Sequence, residues 1–87
     1  LDSKFKQQML YTYKEKLDAL DKEMINTIKI FFESDLNISD SAKNLYIHRN
    51  TLLYRLDKIK RETGFDIKIF NKAMTFKVIF LVWLEIK

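Results

Sequence analysis

Apolar residues recur at helical spacing over the first part of the chain. Intervals of three and four residues join Leu10, Tyr13, Leu17, Leu20 and Met24. This spacing predicts a helix over residues 3–17 that buries one face. The same spacing is also that of a short coiled coil. A helix packed on its own core and a coiled coil are therefore both open interpretations.

A second amphipathic helix is predicted over residues 22–33. Its broad apolar face consists of Met24, Ile25, Ile28, Phe31 and Phe32. Either Asp18 or Asp21 could cap a new helix near this point. Residues 34–38 then form a loop, in which Leu36 or Ile38 is expected to pack against the core and set the direction of the next helix.

Residues 39–62 have the pattern of two helices joined by a tight corner. Ser39 is expected to cap a short helix over about Asp40–Leu45, because its hydroxyl can accept a bond from an unpaired backbone N–H. The corner is expected at Tyr46-Ile47. A short helix, a corner and a longer helix are the layout of a helix-turn-helix motif.

The longer helix of this motif is predicted over residues 48–62. Leu52, Leu56 and Ile59 recur at i, i+4 and i+7 and form its apolar stripe. Gly64 follows where a left-handed C-cap residue is expected.

The last part of the chain allows two structures. Residues 65–70 nearly alternate between apolar and polar, so a short strand there could pair with residues 75–84 in a wing. We instead predict a helix over residues 71–86, because Asn71 can cap it and no turn signal interrupts it. The unbroken apolar run Val78–Leu84 makes this helix apolar all round. We therefore expect one face on the core and another against a second copy or another domain, the alternative being a single crowded core.

The composition favours a single all-α domain over residues 1–87. Of these 87 residues 47% are hydrophobic, with one glycine and no proline, which favours long helices over a turn-rich β fold. The absence of cysteine excludes disulfides and thiolate metal sites and fits a reducing cytoplasm. The apolar run is too short to span a bilayer, and no signal peptide is visible. Because the chain begins at Leu1, we expect it to be a fragment of a longer protein.

Positive charge is concentrated on the second motif helix. Between His48 and Arg61, five basic residues and one acidic residue leave a net charge of +4, which equals the formal charge of the whole chain. A basic helix of this kind gains binding energy from DNA phosphates and reads base edges with side chains near its start. The alternative is a solvated surface without a ligand.

A helical projection with Leu52 on the core directs polar side chains of this helix outward. The positions suited to base edges or nearby phosphates are Arg49, Asn50, Thr51 and Tyr54. Arginine can bond guanine, asparagine can bond adenine, and a threonine methyl can touch thymine. Lys58 and Arg61 lie further along and suit the DNA backbone. Tyr54 could instead be a packing residue, and Arg55 could either contact a phosphate or pair with an acid inside the domain.

Further phosphate contacts are expected around the start of the first motif helix, from Ser39, Ser41 and Lys43. For either serine, simple capping is the alternative. His48 is the only histidine, and no cysteine, second histidine or carboxylate cluster stands at ligand spacing from it. It is therefore predicted to cap the helix or to touch a phosphate.

The run IHRNTLLYRLDKI, residues 47–59, followed by Glu62-Thr63-Gly64, resembles the C-terminal helix-turn-helix domain of the PucR/CdaR family of bacterial transcriptional regulators. The H-R-N-T-L-x-Y-R-L core is its most specific part. Residues 26–45 are similar to that family's preceding helix, loop and first motif helix. The similarity is good over Glu23–Asp66 and looser at both ends. The motif also resembles the DNA-binding end of Fis-type nucleoid proteins.

The resemblance implies sequence-specific binding of double-stranded DNA by a domain of about five helices, with a short connection around residues 18–21. It places Arg49, Asn50, Thr51 and Tyr54 on the part of the motif that enters the groove. It also implies an effector-binding part elsewhere in the parent protein. Two DNA half-sites would match two motifs, which favours a homodimer formed through residues 71–86 and the N-terminal helix.

The sequence contains no feature of an enzyme site. It has no acid–base pair, nucleophile constellation, phosphate-cradling glycine loop or metal cluster, so neither catalysis nor a cofactor is expected. The alternative function is a helical dimerisation or protein-interaction module that does not bind DNA, with the apolar C-terminal helix as its working surface. Salt-dependent binding to duplex DNA distinguishes the two.

Overall fold

The computed structural model describes residues 3–87, which form five α-helices in sequence. These are α1 (Ser3–Asp18), α2 (Lys22–Glu33), α3 (Ile38–Asn44), α4 (Arg49–Thr63) and α5 (Phe70–Ile86). No strand occurs within the described range. The prediction of an all-α fold with about five helices is confirmed.

α1 and α2 meet in a short turn at the predicted break. α1 ends at Asp18, and Asp21 caps α2 by accepting a hydrogen bond from the Met24 N–H at 2.9 Å. Leu17 and Leu20 are buried on either side of this turn. The regular apolar spacing thus lines the core of one copy, which favours the packed helix over the coiled coil.

α2 ends in a backbone motif that sets the direction of the next loop. The Asp35 N–H donates to the Phe32 carbonyl at 3.1 Å, and the Leu36 N–H donates to the Phe31 carbonyl at 3.0 Å. Both donor residues have positive φ, 56° and 63°. This pair of bonds is a Schellman cap. Both Leu36 and Ile38 pack against the core as a result.

The cap of α3 differs from the prediction. Asn37, and not Ser39, caps this helix, because the Asn37 side chain accepts a hydrogen bond from the Asp40 N–H at 2.8 Å. Ser39 lies inside the first helical turn and is exposed. The physical reason is that the left-handed turn at Leu36 leaves Asn37 extended, so the helix begins earlier than the apolar pattern indicated.

The predicted apolar stripe of α4 forms the centre of the core. Leu52, Leu56 and Ile59 have no exposed surface. Gly64 ends the helix with φ 85°, and its N–H donates to the Lys60 carbonyl at 2.8 Å. The predicted left-handed C-cap is confirmed.

α5 adds a row of aromatic rings to this core. The ring centroids of Phe76 and Phe80 lie 5.8 Å apart, those of Phe80 and Trp83 lie 5.9 Å apart, and Phe65 lies 5.4 Å from Phe76. Such pairs stabilise a core beyond the area that they bury. The Trp83 indole N–H donates to the Asp18 carboxylate at 2.8 Å and ties the end of α1 to α5.

Residues 65–69 form a turn, so the strand and wing considered for this region are absent. The Ile69 N–H donates to the Asp66 carbonyl at 3.1 Å, and Ile67 between them is fully buried. Burial works against ionisation of Asp66, but hydrogen bonds from the Lys68 side chain and N–H outweigh it and lower the pKa of Asp66.

The helix predicted over residues 71–86 is confirmed, but its predicted cap is wrong. α5 begins at Phe70, and its N-cap residue is Ile69, which makes no side-chain cap bond. Asn71 lies within the first turn because the turn at Asp66 places the N-cap at Ile69, two residues before the predicted cap. No helix among residues 3–87 combines the length and apolar character needed to cross a membrane.

Candidate nucleic-acid interface

The corner between α3 and α4 repeats the geometry found at the end of α2. The Tyr46 N–H donates to the Lys43 carbonyl at 3.1 Å, and the Ile47 N–H donates to the Ala42 carbonyl at 3.0 Å. These are again the two bonds of a Schellman cap. Ala42 is buried and Ile47 packs against the core, so the corner is held by both backbone bonds and apolar contact.

His48 caps the start of α4, as one of its two predicted roles required. Its Nδ1 atom accepts a hydrogen bond from the Asn50 N–H at 3.0 Å. Because Nδ1 acts as an acceptor, the neutral ring carries its proton on Nε2. The side chain is exposed, so this N–H can donate to a group outside the protein.

The first turns of α4 present polar side chains on the side opposite the core. Arg49, Asn50 and Thr51 are all exposed, whereas the next residue, Leu52, has no exposed surface. Tyr54 is 59% exposed, which argues against the packing role considered for it. The helix therefore divides into a core side and an open polar side, as its projection predicted.

Arg55 is turned towards α2 and is mostly buried. Its guanidinium donates to the Thr27 hydroxyl at 3.2 Å and pairs with the Glu23 carboxylate at 3.2 Å, and its side chain is only 14% exposed. Of the two roles open from the sequence, the structure favours the internal ion pair. Arg55 thus fixes α4 to α2, and its placement among the DNA-binding candidates is corrected.

The distal cations of α4 differ in their surroundings. Arg61 pairs with Asp57 one turn earlier, with both side chains more than half exposed. Lys58 is half-buried and pairs with no carboxylate among residues 3–87. An exposed ion pair of this kind is weak, so Arg61 can exchange Asp57 for another partner. The positive charge of Lys58 is not neutralised by such a pair.

The candidate phosphate contacts on α3 also differ in their exposure. Ser39 and Lys43 are exposed, but Ser41 is fully buried. The Ser41 hydroxyl oxygen has no hydrogen-bond partner, so it neither caps a helix nor reaches a phosphate from this position. The prediction of Ser41 as a candidate phosphate contact was wrong, because a helix of seven residues gives too little periodicity to decide which side faces inward.

Tyr46 is a surface residue of this site that the sequence analysis did not select. It is 94% exposed and has φ 57°, in the left-handed region that tyrosine disfavours. It stands at the corner, two residues before the helix cap His48. The sequence signal was available, since the corner was predicted at this residue, but a non-glycine residue gave no sign of the left-handed conformation.

The described residues give no indication of a metal site. No group of three or more histidine, cysteine, aspartate or glutamate side chains within residues 3–87 is arranged to hold a metal ion. The chemistry available at the site is therefore hydrogen bonding and charge attraction by arginine, lysine, amide and hydroxyl groups.

A short helix, a fixed corner and a longer helix with an open polar start define the helix-turn-helix class of domain. The chain belongs to the PucR C-terminal helix-turn-helix domain family, whose profile matches residues 24–82. The resemblance carried by residues 47–59 is confirmed.

The relatives with functional names are regulators of transcription. The chain is 37% identical over 75 residues to the purine catabolism regulatory protein of Bacillus subtilis, covering 86% of this chain and 14% of that protein. It is 36% identical over 92 aligned positions to the DNA-binding transcriptional activator AdeR of the same organism, covering 100% of this chain and 20% of AdeR.

A third relative comes from a different organism. The carbohydrate diacid regulator of Escherichia coli is 36% identical over 52 residues, covering 60% of this chain and 14% of that protein. The chain spans about a quarter or less of the length of the curated relatives it matches. No solved structure matches the chain. The family and these relatives support DNA-binding transcriptional regulation as the general function.

Proposed function

We propose that this chain is a sequence-specific DNA-binding domain that inserts α4 into the major groove of duplex DNA. The observation that carries the proposal is the open polar start of α4, Arg49 to Thr51, opposite a fully buried apolar stripe. Such a helix can enter a groove with its N-terminal end while its other side stays on the core.

The base-reading residues in this proposal are Arg49, Asn50 and Thr51. A guanidinium can bond guanine O6 and N7, an amide can bond adenine N6 and N7, and a threonine methyl can contact thymine. Tyr54 lies one turn further along the same side and is more than half exposed. It would contact a base edge or the sugar-phosphate backbone beside them.

The phosphate-binding residues would surround this reading surface. Lys43 and Ser39 extend it along α3, and Lys58 extends it along α4. His48 would donate from Nε2, because its Nδ1 atom is engaged in the helix cap. Tyr46 would donate its hydroxyl from the corner. Arg61 would add a weaker contact, because Asp57 competes for its charge.

At the level of the parent protein, we place this domain at the C-terminal end of a longer bacterial regulator that works in the cytoplasm. A separate effector-binding part would change the spacing or orientation of two such domains. The two α4 helices would then match or miss two half-sites on DNA. The C-terminal position of the domain in its family, and the small share of the relatives' length that the chain covers, support placing it at the end of a longer protein.

The test begins with selection of duplexes from a random pool and continues with titrations of the selected duplex at several salt concentrations. We expect log K to fall linearly with log salt, with a slope of about −0.9 per phosphate contact. The double variant Arg49→Ala/Thr51→Ala should lose sequence preference, because each good base contact provides about 1–3 kcal/mol of discrimination.

The matched control is Lys4→Ala, which removes an exposed cation from the start of α1. It should retain the selected preference. Affinity that stays in the non-specific range at low salt for every selected duplex, together with no effect of the double variant, would contradict the proposal.

A second candidate function is supported by the apolar surface of α5, where Val78 and Leu81 are 41% and 52% exposed. In this alternative the chain is a helical interaction module without DNA binding. The same titration separates the two functions, since only the DNA-binding domain shows a salt-dependent, sequence-dependent affinity for duplexes.

A further inference from the structure

An acidic side chain lies among the polar residues on the open side of α4. Asp57 is exposed and lies seven residues after Asn50, which is also exposed. At about 3.6 residues per turn, this spacing sets the two side chains about 20° apart around the helix axis and about 10 Å apart along it. Tyr54 is exposed between them, whereas Leu52 points the opposite way into the core. Asp57 therefore faces in the same direction as Asn50, about two turns further along α4.

The other acid of α4 has a different position. Glu62 is exposed, but it lies five residues after Asp57 and so about 140° from it around the helix axis. Among the described residues of this helix, Asp57 is thus the only acid on the side that the proposed function turns towards DNA. Phosphates repel a carboxylate, so it lowers the affinity for DNA unless a hydrogen-bond donor of a base edge compensates the repulsion.

One of the two carboxylate oxygens of Asp57 is free to accept such a bond. Its Oδ2 atom accepts a hydrogen bond from the Arg61 guanidinium one turn later, but Oδ1 has no hydrogen-bond partner among residues 3–87. Both side chains are more than half exposed. The positive charge of Arg61 offsets that of the carboxylate, and its other N–H groups remain able to bond a phosphate. The pair therefore makes an acid tolerable on a surface that faces DNA.

The major groove offers a carboxylate two kinds of donor, the amino groups of cytosine and of adenine. The adenine amino group stands between two acceptors, adenine N7 and thymine O4. The cytosine amino group has an acceptor, guanine O6, on one side only. A carboxylate that approaches adenine is repelled by one acceptor more, so cytosine is the better match.

We infer that Asp57 reads a cytosine in the DNA site by accepting a hydrogen bond from cytosine N4 with Oδ1. The inference rests on the proposed function and adds a specificity-determining residue to those at the start of α4. It requires α4 to lie along the major groove, whose width of about 12 Å admits a helix. Because successive base pairs are about 3.4 Å apart, this cytosine lies about three base pairs from the base that Asn50 contacts.

Selection of duplexes from a random pool by the wild-type chain, by Asp57→Ala and by Asn50→Ala tests the inference. Each variant should lose the preference at one position of the selected duplex and keep the preference at the others. The position lost by Asp57→Ala should be a C·G pair, about three base pairs from the position lost by Asn50→Ala. Circular dichroism measures whether each variant keeps its helix content, as expected for two exposed positions.

Titrations of the selected duplex measure the contribution of the proposed contact. Replacement of the C·G pair by T·A should weaken binding by the wild type by about 5- to 150-fold and leave binding by Asp57→Ala nearly unchanged. Asp57→Asn should move the preference at this position from cytosine to adenine, because an amide both donates and accepts. The loss of a negative charge does not by itself change which base is preferred.

The matched control is Glu62→Ala, which removes the other acid of α4 and lies outside the proposed surface. It should select the same sequence as the wild type. If Asp57→Ala also selects the wild-type sequence, the inference is overturned, and tighter binding of every duplex would then show that Asp57 only repels phosphates. A wild-type chain that selects no sequence would instead contradict the proposed function, and the inference with it.

Discussion

At the residue scale, Tyr46 occupies a backbone conformation that its own side chain disfavours. With φ 57° it lies in the left-handed region, where a β-carbon costs about 1–2 kcal/mol. The two backbone bonds of the corner impose this conformation, and the side chain itself is 94% exposed. An exposed aromatic side chain beside the proposed binding surface is a candidate for a contact with DNA, which we propose for Tyr46.

We therefore expect Tyr46→Gly to have opposite effects on stability and on binding. The free energy of unfolding should rise by about 1 kcal/mol, because glycine adopts this conformation without strain. DNA affinity should fall, because the proposed phosphate contact is lost. Urea unfolding and DNA titration measure the two effects.

The control for this prediction is Asp35→Gly at the equivalent position of the α2 cap, where φ is 56°. It should also stabilise the fold, but it is not expected to weaken DNA binding. If Tyr46→Gly binds the selected duplex as tightly as the wild type, Tyr46 has no role in the interface.

At the element scale, the orientation of α4 depends on contacts with both helices that precede it. The α3 corner fixes its start through two backbone bonds, and Arg55 fixes its middle to Thr27 and Glu23 of α2. The Thr27 hydroxyl also donates to the Glu23 carbonyl at 2.8 Å, so all three groups belong to one network. A helix held at two points presents its open side in one direction.

We expect Arg55→Met to destabilise the fold by about 1–3 kcal/mol, because it removes hydrogen bonds to a charged group while retaining the apolar stem. The salt dependence of DNA binding should keep its slope, because Arg55 makes no phosphate contact in the proposed complex. Urea unfolding and titrations at several salt concentrations provide the two readouts.

Lys58→Ala is the comparison variant on the same helix. It should reduce the salt slope by about 1 and leave stability nearly unchanged. A reduced slope for Arg55→Met, without loss of stability, would show that Arg55 leaves its internal partners and binds phosphate.

At the scale of the whole molecule, the hydrogen bond between Asp18 and Trp83 joins the end of α1 to α5, far apart in the chain. Hydrogen bonds from Lys14 and from Trp83 lower the pKa of Asp18 below its ordinary value of 3.8. A carboxylate with a lowered folded pKa contributes stability above its unfolded pKa. That contribution is lost as pH falls through the folded pKa.

Acid should therefore loosen the junction of α1 and α5 below about pH 4. The single tryptophan reports on it, because protonation of Asp18 removes the charged acceptor of the indole N–H. The measurement is tryptophan fluorescence with urea unfolding over a pH series. Asp18→Asn keeps an oxygen acceptor and should show a weaker acid dependence. An equal acid dependence in both proteins would refute this assignment.

Much of the fold follows from local patterns. The periods of α2 and α4 and the role of Gly64 were predictable, because apolar spacing and the left-handed cap are properties of neighbouring residues. The predicted N-cap residues were wrong where several residues able to cap a helix lie close together in the sequence. Ser39 and Asn71 were reasonable caps by residue type, but Leu36 and Asp66 turn the chain earlier than either.

The candidate site was predictable on α4 and less so around it. A fifteen-residue helix has enough turns for its polar start and apolar stripe to be separated by period alone. The seven residues of α3 give too few turns for this separation. Ser41 was therefore predicted to be a surface residue, although it is buried. Tyr46 was missed because its exposed, left-handed conformation depends on how the corner packs.

The sequence by itself determined that this chain is a helical domain with a helix-turn-helix motif, because helical period and motif residues are local properties. Only the tertiary structure decided that Arg55 pairs with residues of α2 and that Asp18 accepts a hydrogen bond from Trp83. It also decided which side of α5 remains exposed. Those outcomes depend on which residues, far apart in the sequence, the packed helices bring into contact. The order of residues along the chain does not contain these spatial distances.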